Sequence, residues 1–338
     1  MKNFITFTLV TLTTAGFSQT GDSSTYFFQK GTEEQAARRY LTASNHYTKA
    51  IELNQNYTAA YVENGYVNLE MRRIDAAKQN FTKALELDPN NEAAIKELVT
   101  LYYSYRQFQK AIDFAAKCKT CEDADRIIAM SYYQMEDYGK AEKVLLNLIK
   151  KNPNDAEMIY TTARNYLDMG LEGKAIPFYE KAVQLDETKS KWHAELGLLY
   201  YNNNNYKKAV ASFNKAAEHG FIRSNDFNEN LGFAYLYSGE FDKAETLLLE
   251  IIARKPGNTE ILRDVAEAFY DRKMYDKSLE YCQKLMEMNM QDGKALYQAG
   301  LCFQKKGQKE RGQQMCDKAI EMDPSLAGLR QKRMSPGM

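Results

Sequence analysis

Two short series of residues recur at helical spacing between residues 56 and 91. The members fall at positions i, i+3, i+4 and i+7 in the first series and at i, i+4 and i+7 in the second, which places each series on one face of an α-helix. The first series is Tyr61, Asn64, Gly65 and Asn68, and the second is Ala77, Phe81 and Ala84. The segment, which closes near Pro89, therefore predicts two helices packed as an antiparallel hairpin.

The same two series return about every 34 residues along most of the chain. In the other copies the position of Gly65 is held by Gly31, Val99, Ala129, Ala163, Gly197, Gly232, Ala266 and Gly300. The matching position of the second helix is held by Ala43, Ala77, Ala111, Ala141, Ala175, Ala209, Ala244, Ser278 and Gly312. Because glycine weakens a helix relative to alanine, its return at one phase indicates a neighbouring helix that is too close for a larger side chain.

These features resemble the tetratricopeptide repeat, and the resemblance covers roughly Ser24 to Leu326. It also rests on a recurring aromatic residue and on closing prolines, namely Tyr102, Tyr132, Tyr166, Tyr200, Tyr235, Phe269, Phe303, Pro89, Pro153, Pro256 and Pro324. The tryptophan that usually opens the repeat is replaced by other bulky apolar residues, among them Phe27, Tyr61, Ile95 and Leu262. The resemblance implies an all-α fold, a right-handed superhelical α-solenoid of antiparallel helix hairpins.

Nine repeats follow from this phase: 24–57, 58–91, 92–121, 122–155, 156–189, 190–224, 225–258, 259–292 and 293–326. The third repeat is four residues short and loses the end of its second helix. The sixth gains one residue near Gly220, which can end a helix in the left-handed conformation. Pro177 lies in the second helix of the fifth repeat and predicts that this helix begins late, near Lys174; a kinked helix is the alternative.

Residues 1–18 differ from the repeats and have the features of an export signal. A short cationic start precedes an apolar stretch from Phe4 to Leu12, and Gly16 and Ser18 suit a signal peptidase. We expect cleavage after Ser18, a linker at 19–23, and an exported protein that is periplasmic or secreted and associated with the cell envelope. The alternative is an N-terminal helix that stays attached. No later run reaches the roughly 18 apolar residues of a membrane span, so we predict no integral membrane segment.

The last repeat needs a cover for its apolar face, as in other repeat arrays. Ser325 is a suitable start for a short helix that presents Leu326 and Leu329 to the ninth repeat, with Arg330 outward. Residues 327–338 are therefore predicted as the capping helix and a loose basic tail.

Charge gives no indication of a nucleic-acid or membrane partner. Lys and Arg total 45, as do Asp and Glu, so the formal net charge is zero. There is no overall field to attract an anionic polymer or surface, and we predict no nucleic-acid partner. A chain of 338 residues would ordinarily suggest two domains. Because a repeat array has no single core to outgrow, we expect one elongated domain instead.

Cys118 and Cys121 form a C-x-x-C motif, a pattern found in disulfides, redox pairs and zinc sites. In an exported protein the main interpretation is a structural disulfide at the shortened end of the third repeat. Free buried thiols and a redox or metal site are the alternatives. Zinc would need two further ligands nearby, and thioredoxin-type exchange is typical of a βαβ setting. Thiol-disulfide exchange at this pair is thus the last of the functional alternatives.

The other candidate residues indicate packing rather than catalysis. Cys282, Cys302 and Cys316 suit buried positions, with Cys282 and Cys302 a possible second disulfide. Trp192 is predicted as a packing residue between repeats. The histidines are isolated in sequence: His46, His193 and His219. We predict no catalytic residue, no metal site and no cofactor.

The first helices carry a second face that the hairpin does not need. By the resemblance, this face lines the concave surface on which partners bind. The candidate groove residues are Tyr66, Tyr103, Arg126, Tyr133, Tyr160, Arg164, Tyr201, Phe233, Tyr237, Arg263, Tyr270 and Tyr297. Tyrosine suits recognition because it offers apolar area and a hydroxyl with little rotamer entropy to lose. The alternative is that much of this face packs against the neighbouring repeat.

The main functional prediction is a non-enzymatic protein-protein interaction scaffold of the cell envelope, which holds a peptide, helix or partner protein in this groove. A carbohydrate or cell-wall binding module that uses the same tyrosines is the alternative. The carboxylate clamp by which members of the family grip a chaperone C-terminus is missing, because Thr100 follows Lys96 and Met130 follows Arg126 where asparagine is needed. A fold shared by many scaffolds does not name the partner or the oligomeric state.

Overall fold

A computed structural model of the protein describes residues 16–254 and 257–328, with side chains from Ser23 onward. Within these ranges the regular elements are all helical, which confirms the predicted all-α class. The first nine are α1 (Gly16–Ala36), α2 (Tyr40–Leu53), α3 (Thr58–Glu70), α4 (Ile74–Leu87), α5 (Glu92–Ser104), α6 (Phe108–Ala115), α7 (Ala124–Gln134), α8 (Tyr138–Lys151) and α9 (Ala156–Asp168). The others are α10 (Glu172–Leu185), α11 (Ser190–Asn202), α12 (Tyr206–Glu218), α13 (Asn225–Ser238), α14 (Phe241–Arg254), α15 (Thr259–Asp271), α16 (Tyr275–Met288), α17 (Gly293–Lys305), α18 (Lys309–Met322) and the 3₁₀ helix η1 (Pro324–Leu326).

The chain divides into two compact units, residues 1–171 and 172–338, called here the N-terminal and C-terminal units. In the N-terminal unit the helices pair as α1–α2, α3–α4, α5–α6 and α7–α8, and α8 packs against α9. In the C-terminal unit α10 packs against α11, and the pairs α11–α12, α13–α14, α15–α16 and α17–α18 follow. The second helix of one pair also packs against the first helix of the next pair at α2–α3, α4–α5, α6–α7, α12–α13 and α16–α17. Each unit is therefore a stack of helix hairpins in chain order.

The recurring glycines lie where the two helices of a hairpin touch. A Cβ atom on Gly65 would lie 2.6 Å from the ring of Phe81, and one on Gly197 would lie 2.7 Å from the ring of Phe213. Both rings are buried, so they have little room to move aside. The prediction that these positions exclude larger side chains is confirmed.

The first helix of every predicted repeat is followed, one or two positions after its last residue, by a residue with a left-handed backbone. Three of these residues are glycines and six are not: Gly170, Gly239, Gly307, Arg38, Arg72, Arg106, Glu136, Asn204 and Lys273. In the second hairpin the N–H of Arg72 donates to the carbonyl of Leu69, and the N–H of Arg73 donates to that of Asn68, each at 2.8 Å. These bonds satisfy carbonyls that the end of the helix leaves open. The predicted left-handed Gly220 is also observed, with φ of 82°.

The prediction of a late start for the helix around Pro177 is wrong. Helix α10 begins at Glu172, and Pro177 lies inside it as the sixth residue. The N–H groups of the first turn of a helix have no partner within the helix, so a proline there removes no hydrogen bond. Pro177 lies beyond the first turn, and its missing N–H therefore costs α10 one intrahelical hydrogen bond. The helix continues through this point because Ala175, Tyr179 and Ala182 are fully buried and anchor it.

We expect Pro177→Ala to raise the free energy of unfolding by about 1–2 kcal/mol, because alanine restores the missing hydrogen bond at some cost in unfolded-state entropy. Chemical denaturation monitored by circular dichroism measures this change. The matched control is Pro324→Ala, since Pro324 starts η1, where its missing N–H has no helical partner. Equal effects of the two substitutions would contradict the account.

The ends of the array differ in detail from the prediction. Helix α1 runs through 19–23, so the segment predicted as a linker is helical, because extending an anchored helix adds one bond for each residue fixed. At the other end Asp323, rather than Ser325, caps η1, and Leu326 is buried against α17 and α18. Most of the predicted export signal and residues 329–338 lie outside the described residues.

Candidate partner-binding surface

In the C-terminal unit the first helices of successive hairpins lie side by side. Helix α11 contacts α13, α13 contacts α15, and α15 contacts α17. The candidate residues on these helices are called the C-terminal face: Tyr201, Phe233, Tyr237, Arg263, Tyr270 and Tyr297. Those on α3, α5, α7 and α9 are called the N-terminal face: Tyr66, Tyr103, Arg126, Tyr133, Tyr160 and Arg164.

Ten of the twelve candidate residues are partly exposed, whereas Phe233 and Tyr297 are buried. Phe233 is only 7% exposed, because every residue of α13 from Leu231 to Leu236 is buried. Tyr297 is 6% exposed because Leu326 of η1 packs beside it. These two residues therefore do not offer an exposed ring, which corrects their assignment to the open groove. Tyr297 instead lines a cavity of about 230 Å³.

Four of the tyrosines are held by a second ring five residues later in the chain. Each pair joins the end of a first helix to the first residue of the second helix. The ring centroids are 5.9 Å apart for Tyr103 and Phe108, 6.0 Å for Tyr133 and Tyr138, 5.7 Å for Tyr201 and Tyr206, and 5.5 Å for Tyr270 and Tyr275. Ring contacts at this spacing are favourable, so these tyrosines are oriented before a partner arrives.

Tyr201, Tyr206 and Tyr237 form a continuous aromatic cluster in the C-terminal unit. The ring of Tyr206 is 5.7 Å from that of Tyr201 and stacks on that of Tyr237 at 4.8 Å. Tyr237 also stacks on the buried Phe233 at 6.4 Å. The cluster thus joins the sixth and seventh repeats and rests on the core.

The hydroxyls of Tyr201 and Tyr237 stay protonated at neutral pH. Burial raises the pKa of Tyr201 to about 12, with further contributions from Tyr206, Glu229 and Asp264. Burial also raises the pKa of Tyr237 to about 12, and its other causes include Tyr201, Asp271, Tyr206 and Glu267. Both residues therefore act as neutral hydrogen-bonding groups beside negative charge.

On the N-terminal face a carboxylate engages two of the candidate residues. The Tyr133 hydroxyl donates to Asp168 Oδ2 at 2.6 Å, and Arg164 Nη2 lies 4.0 Å from the same oxygen. Burial and the bond to Asp168 raise the pKa of Tyr133. This network fixes the hydroxyl of Tyr133.

Two candidate arginines connect consecutive repeats. Arg263 donates two hydrogen bonds to Asp292, at 2.8 and 2.6 Å, and Arg126 donates one to Asp155 at 2.8 Å. Each aspartate also accepts a bond from the backbone at the start of the next first helix, from Ala295 N–H or Met158 N–H. These arginines therefore stabilise the stack, and their charge is largely balanced.

Cys118 and Cys121 are joined by a disulfide just after the short helix α6. The carboxylate of Glu92 accepts bonds from the N–H groups of Lys119 and Thr120, at 3.0 and 3.2 Å, and from the Thr120 hydroxyl at 3.0 Å. Burial opposes ionisation of Glu92, but these bonds leave its pKa below the usual value. The disulfide loop is thus tied to the first turn of α5, where it closes the truncated repeat.

Cys282, Cys302 and Cys316 are buried and are not joined in disulfides, so the possible second disulfide between Cys282 and Cys302 is not formed. Burial raises the pKa of Cys282 to about 12, which disfavours a reactive thiolate. Trp192 is buried, as predicted for a packing residue. The histidines are less isolated in space than in sequence, because the rings of His193 and His219 stack at 5.8 Å.

Within residues 16–254 and 257–328, no group of three or more His, Cys, Asp or Glu residues is arranged to hold a metal ion. None of the helices in these ranges is both long and apolar enough to cross a membrane.

Several residues of this surface are absent from the sequence-based candidates. Phe108, Tyr138, Tyr206 and Tyr275 all open second helices and support the tyrosine that precedes them by five residues. The repeated aromatic at this spacing is a signal that the sequence does contain. Asp292 also carries a signal, because it lies 29 residues after Arg263, as Asp155 lies 29 residues after Arg126.

Family models described as tetratricopeptide repeat match five stretches of the chain. These are residues 68–117, 128–190, 193–218, 230–293 and 293–326. Together they cover more than half of the 338 residues.

Two curated relatives and one solved structure illustrate the similarity. The chain is 26% identical over 160 residues to protein O-mannosyl-transferase TMTC1 of Homo sapiens, covering 47% of this chain and 17% of that protein. It is 22% identical over 206 residues to Hsp70-Hsp90 organizing protein 3 of Arabidopsis thaliana, covering 57% and 35%. YrrB, a TPR protein with an unusual peptide-binding site, aligns at 25% identity with a TM-score of 0.39, covering 56% of this chain and 97% of that one. The chain thus spans well under two thirds of both curated relatives.

Proposed function

We propose that this chain, which belongs to the tetratricopeptide repeat family, is a non-enzymatic scaffold that binds a partner protein or peptide on its first-helix faces. Proteins of this family are generally protein-interaction scaffolds. The scaffold acts at the cell envelope, after export directed by residues 1–18, and needs no cofactor.

The observation that carries the proposal is the repeated pair of a face tyrosine and a supporting ring. It occurs at Tyr103, Tyr133, Tyr201 and Tyr270, on four different first helices. All four tyrosines are partly exposed. An oriented aromatic side chain loses little entropy on binding, which is why such residues dominate the energetics of interfaces. Each unit carries two of these tyrosines on successive or nearby first helices, an arrangement that suits an extended partner.

Relatives support the type of partner without naming it. YrrB is described as a protein with a peptide-binding site. Hsp70-Hsp90 organizing protein 3 is named after the two proteins that it organises. Those descriptions refer to those proteins. For this chain, a protein or peptide partner is the corresponding proposal.

A photoreactive amino acid placed at Tyr201 tests the scaffold proposal. We expect irradiation in envelope extract to attach one protein there, and the same purified protein to crosslink when mixed with the full chain. The matched control carries the photoreactive group at Ala211, an exposed residue on the second helix of the same hairpin.

Equal capture at both positions would refute the assignment of this surface. Retention of the chain on glycan resin without any protein crosslink would favour the carbohydrate-binding alternative. Sequencing the N-terminus of the protein from its own cells tests export, since Gln19 as the first residue supports it and an intact Met1 contradicts it.

A further inference from the structure

The rings of the aromatic cluster differ from those of neighbouring tyrosines in the chain in their contacts with cationic side chains. Lys208 lies over the ring of Tyr200 at 5.0 Å, and Lys243 lies over the ring of Tyr235 at 5.4 Å. Among residues 16–254 and 257–328, no lysine or arginine lies over Tyr201, Tyr206 or Tyr237. Lysines of the chain therefore lie over Tyr200 and Tyr235, whereas the tyrosines of the aromatic cluster contact other aromatic rings instead.

Carboxylates of α15, the helix that packs beside α13, lie within electrostatic reach of the aromatic cluster. Glu229 of α13 and Asp264 of α15 act on the hydroxyl of Tyr201, and Glu267 and Asp271 of α15 act on that of Tyr237. Asp264, Glu267 and Asp271 are exposed. The rings thus lie in a region of negative potential, which itself strengthens the attraction of a cation to a π face.

The positive side chains of this region do not balance the three carboxylates of α15. Arg263 is held by Asp292 through two hydrogen bonds, and Arg272 reaches the turn at Gly239. In the part of the chain that the structure describes, Asp264, Glu267 and Asp271 form no ion pair with lysine or arginine. The surplus of negative charge therefore belongs to the surface that a partner would meet.

From these observations we infer that the aromatic cluster binds a protein segment bearing lysine or arginine side chains, with the cations between the tyrosine rings and the carboxylates of α15. The inference rests on the proposed function and specifies the partner at one part of the surface. An acidic segment is repelled there, and a neutral segment gains only ring contacts.

Sets of short synthetic peptides that differ only in charge test this inference on the full chain. Each set presents one backbone sequence with lysine and arginine, with glutamine at those positions, or with glutamate. Fluorescence polarisation is expected to show binding of the basic members, about tenfold weaker binding of the glutamine members, and a loss of affinity as salt rises.

Variants of the chain localise the effect. The triple variant Asp264→Asn, Glu267→Gln, Asp271→Asn is expected to weaken binding of the basic peptides about tenfold. The matched control neutralises three exposed carboxylates on second helices, Glu250→Gln, Glu287→Gln and Glu310→Gln, and is expected to keep the affinity. Tyr201→Phe keeps a π face and should retain binding, whereas Tyr201→Leu should weaken it.

Equal or tighter binding of glutamine or glutamate peptides would overturn the inference, and so would equal losses in the two triple variants. If the partner captured from Tyr201 still binds the Asp264, Glu267 and Asp271 variant at full strength, the scaffold function stands and the cationic partner does not. If no peptide binds and no protein is captured from Tyr201, both proposals fail.

Discussion

Gly312→Ala is expected to lower the free energy of unfolding by about 2–3 kcal/mol, because the added methyl group has no space between α17 and α18. A Cβ atom at this position would lie 2.5 Å from the carbonyl oxygen of Gly300 and 2.8 Å from the backbone nitrogen of Gln304. Backbone atoms cannot rotate aside as a flexible side chain can, so the two helices must separate. The loss exceeds the gain of about 1 kcal/mol that alanine brings to a helix.

Urea denaturation monitored by circular dichroism at 222 nm measures this loss. Gly173→Ala is the matched control, since nothing lies within 4 Å of a Cβ atom built on Gly173 in α10. It is expected to raise the free energy of unfolding by about 0.5–1 kcal/mol. If both variants gain stability, α17 and α18 do not approach each other as closely as the structure shows.

Asp292→Ala is expected to lower the free energy of unfolding by about 2–3 kcal/mol, since it removes the cap of α17 and both hydrogen bonds from Arg263. The Asp292 side chain is only 5% exposed, while that of Arg263 is 31% exposed. The partial exposure of Arg263 lets water solvate it once its partner is lost, which moderates the penalty for the buried pair.

Asp155→Ala provides the comparison, because Asp155 has the same two roles in the N-terminal unit. Its side chain is 17% exposed and accepts one bond from Arg126, whose side chain is 38% exposed. The loss of stability there is expected to be about half as large. A larger effect at Asp155 than at Asp292 would contradict the dependence on burial.

The contribution of Asp292 also depends on pH. Burial alone would raise the pKa of Asp292, but the hydrogen bonds from Arg263 and the Ala295 N–H hold it below its usual value. The folded chain therefore binds this proton less readily than the unfolded chain. The stabilisation is complete above the unfolded pKa of about 4 and is lost as the pH falls through the folded pKa.

Asp292→Asn tests this dependence, because asparagine keeps the cap but not the charge. The difference in stability between the natural chain and this variant should shrink when the pH is lowered from about 6 to about 3. A difference that stays constant over this range would show that the charge of Asp292 contributes nothing.

The hairpins and their close contacts could be predicted because they depend on local spacing. A glycine at one phase of a helix reports that another helix is near, and the Cβ positions at Gly65 and Gly197 show this directly. Burial of the face residues could not be predicted in the same way. Tyr297 is covered by Leu326 of η1, and Phe233 lies in a stretch of α13 that is buried from Leu231 to Leu236, and neither contact follows from the spacing within one hairpin.

The backbone conformation of the hairpin turns could not be predicted from the sequence either. Glycine and asparagine are the residues that indicate a left-handed backbone, yet Arg72 and Lys273 adopt it. The hydrogen bonds that end each first helix impose this geometry and outweigh the cost of the side chain. For Pro177 the opposite applies, since the expected late start of the helix near Lys174 is prevented by the packing around Tyr179.

Because backbone hydrogen bonds determine the conformation of each hairpin turn, the residue at its left-handed position can be replaced by others. Arginine, glutamate, asparagine, lysine and glycine all occupy the same point of the bend, with φ between 57 and 97°. Substitutions at these nine positions can therefore change the charge of the protein surface while the turn of each hairpin keeps its backbone conformation. The same points offer attachment sites for fluorophores or tethers that leave the stacking of the repeats undisturbed.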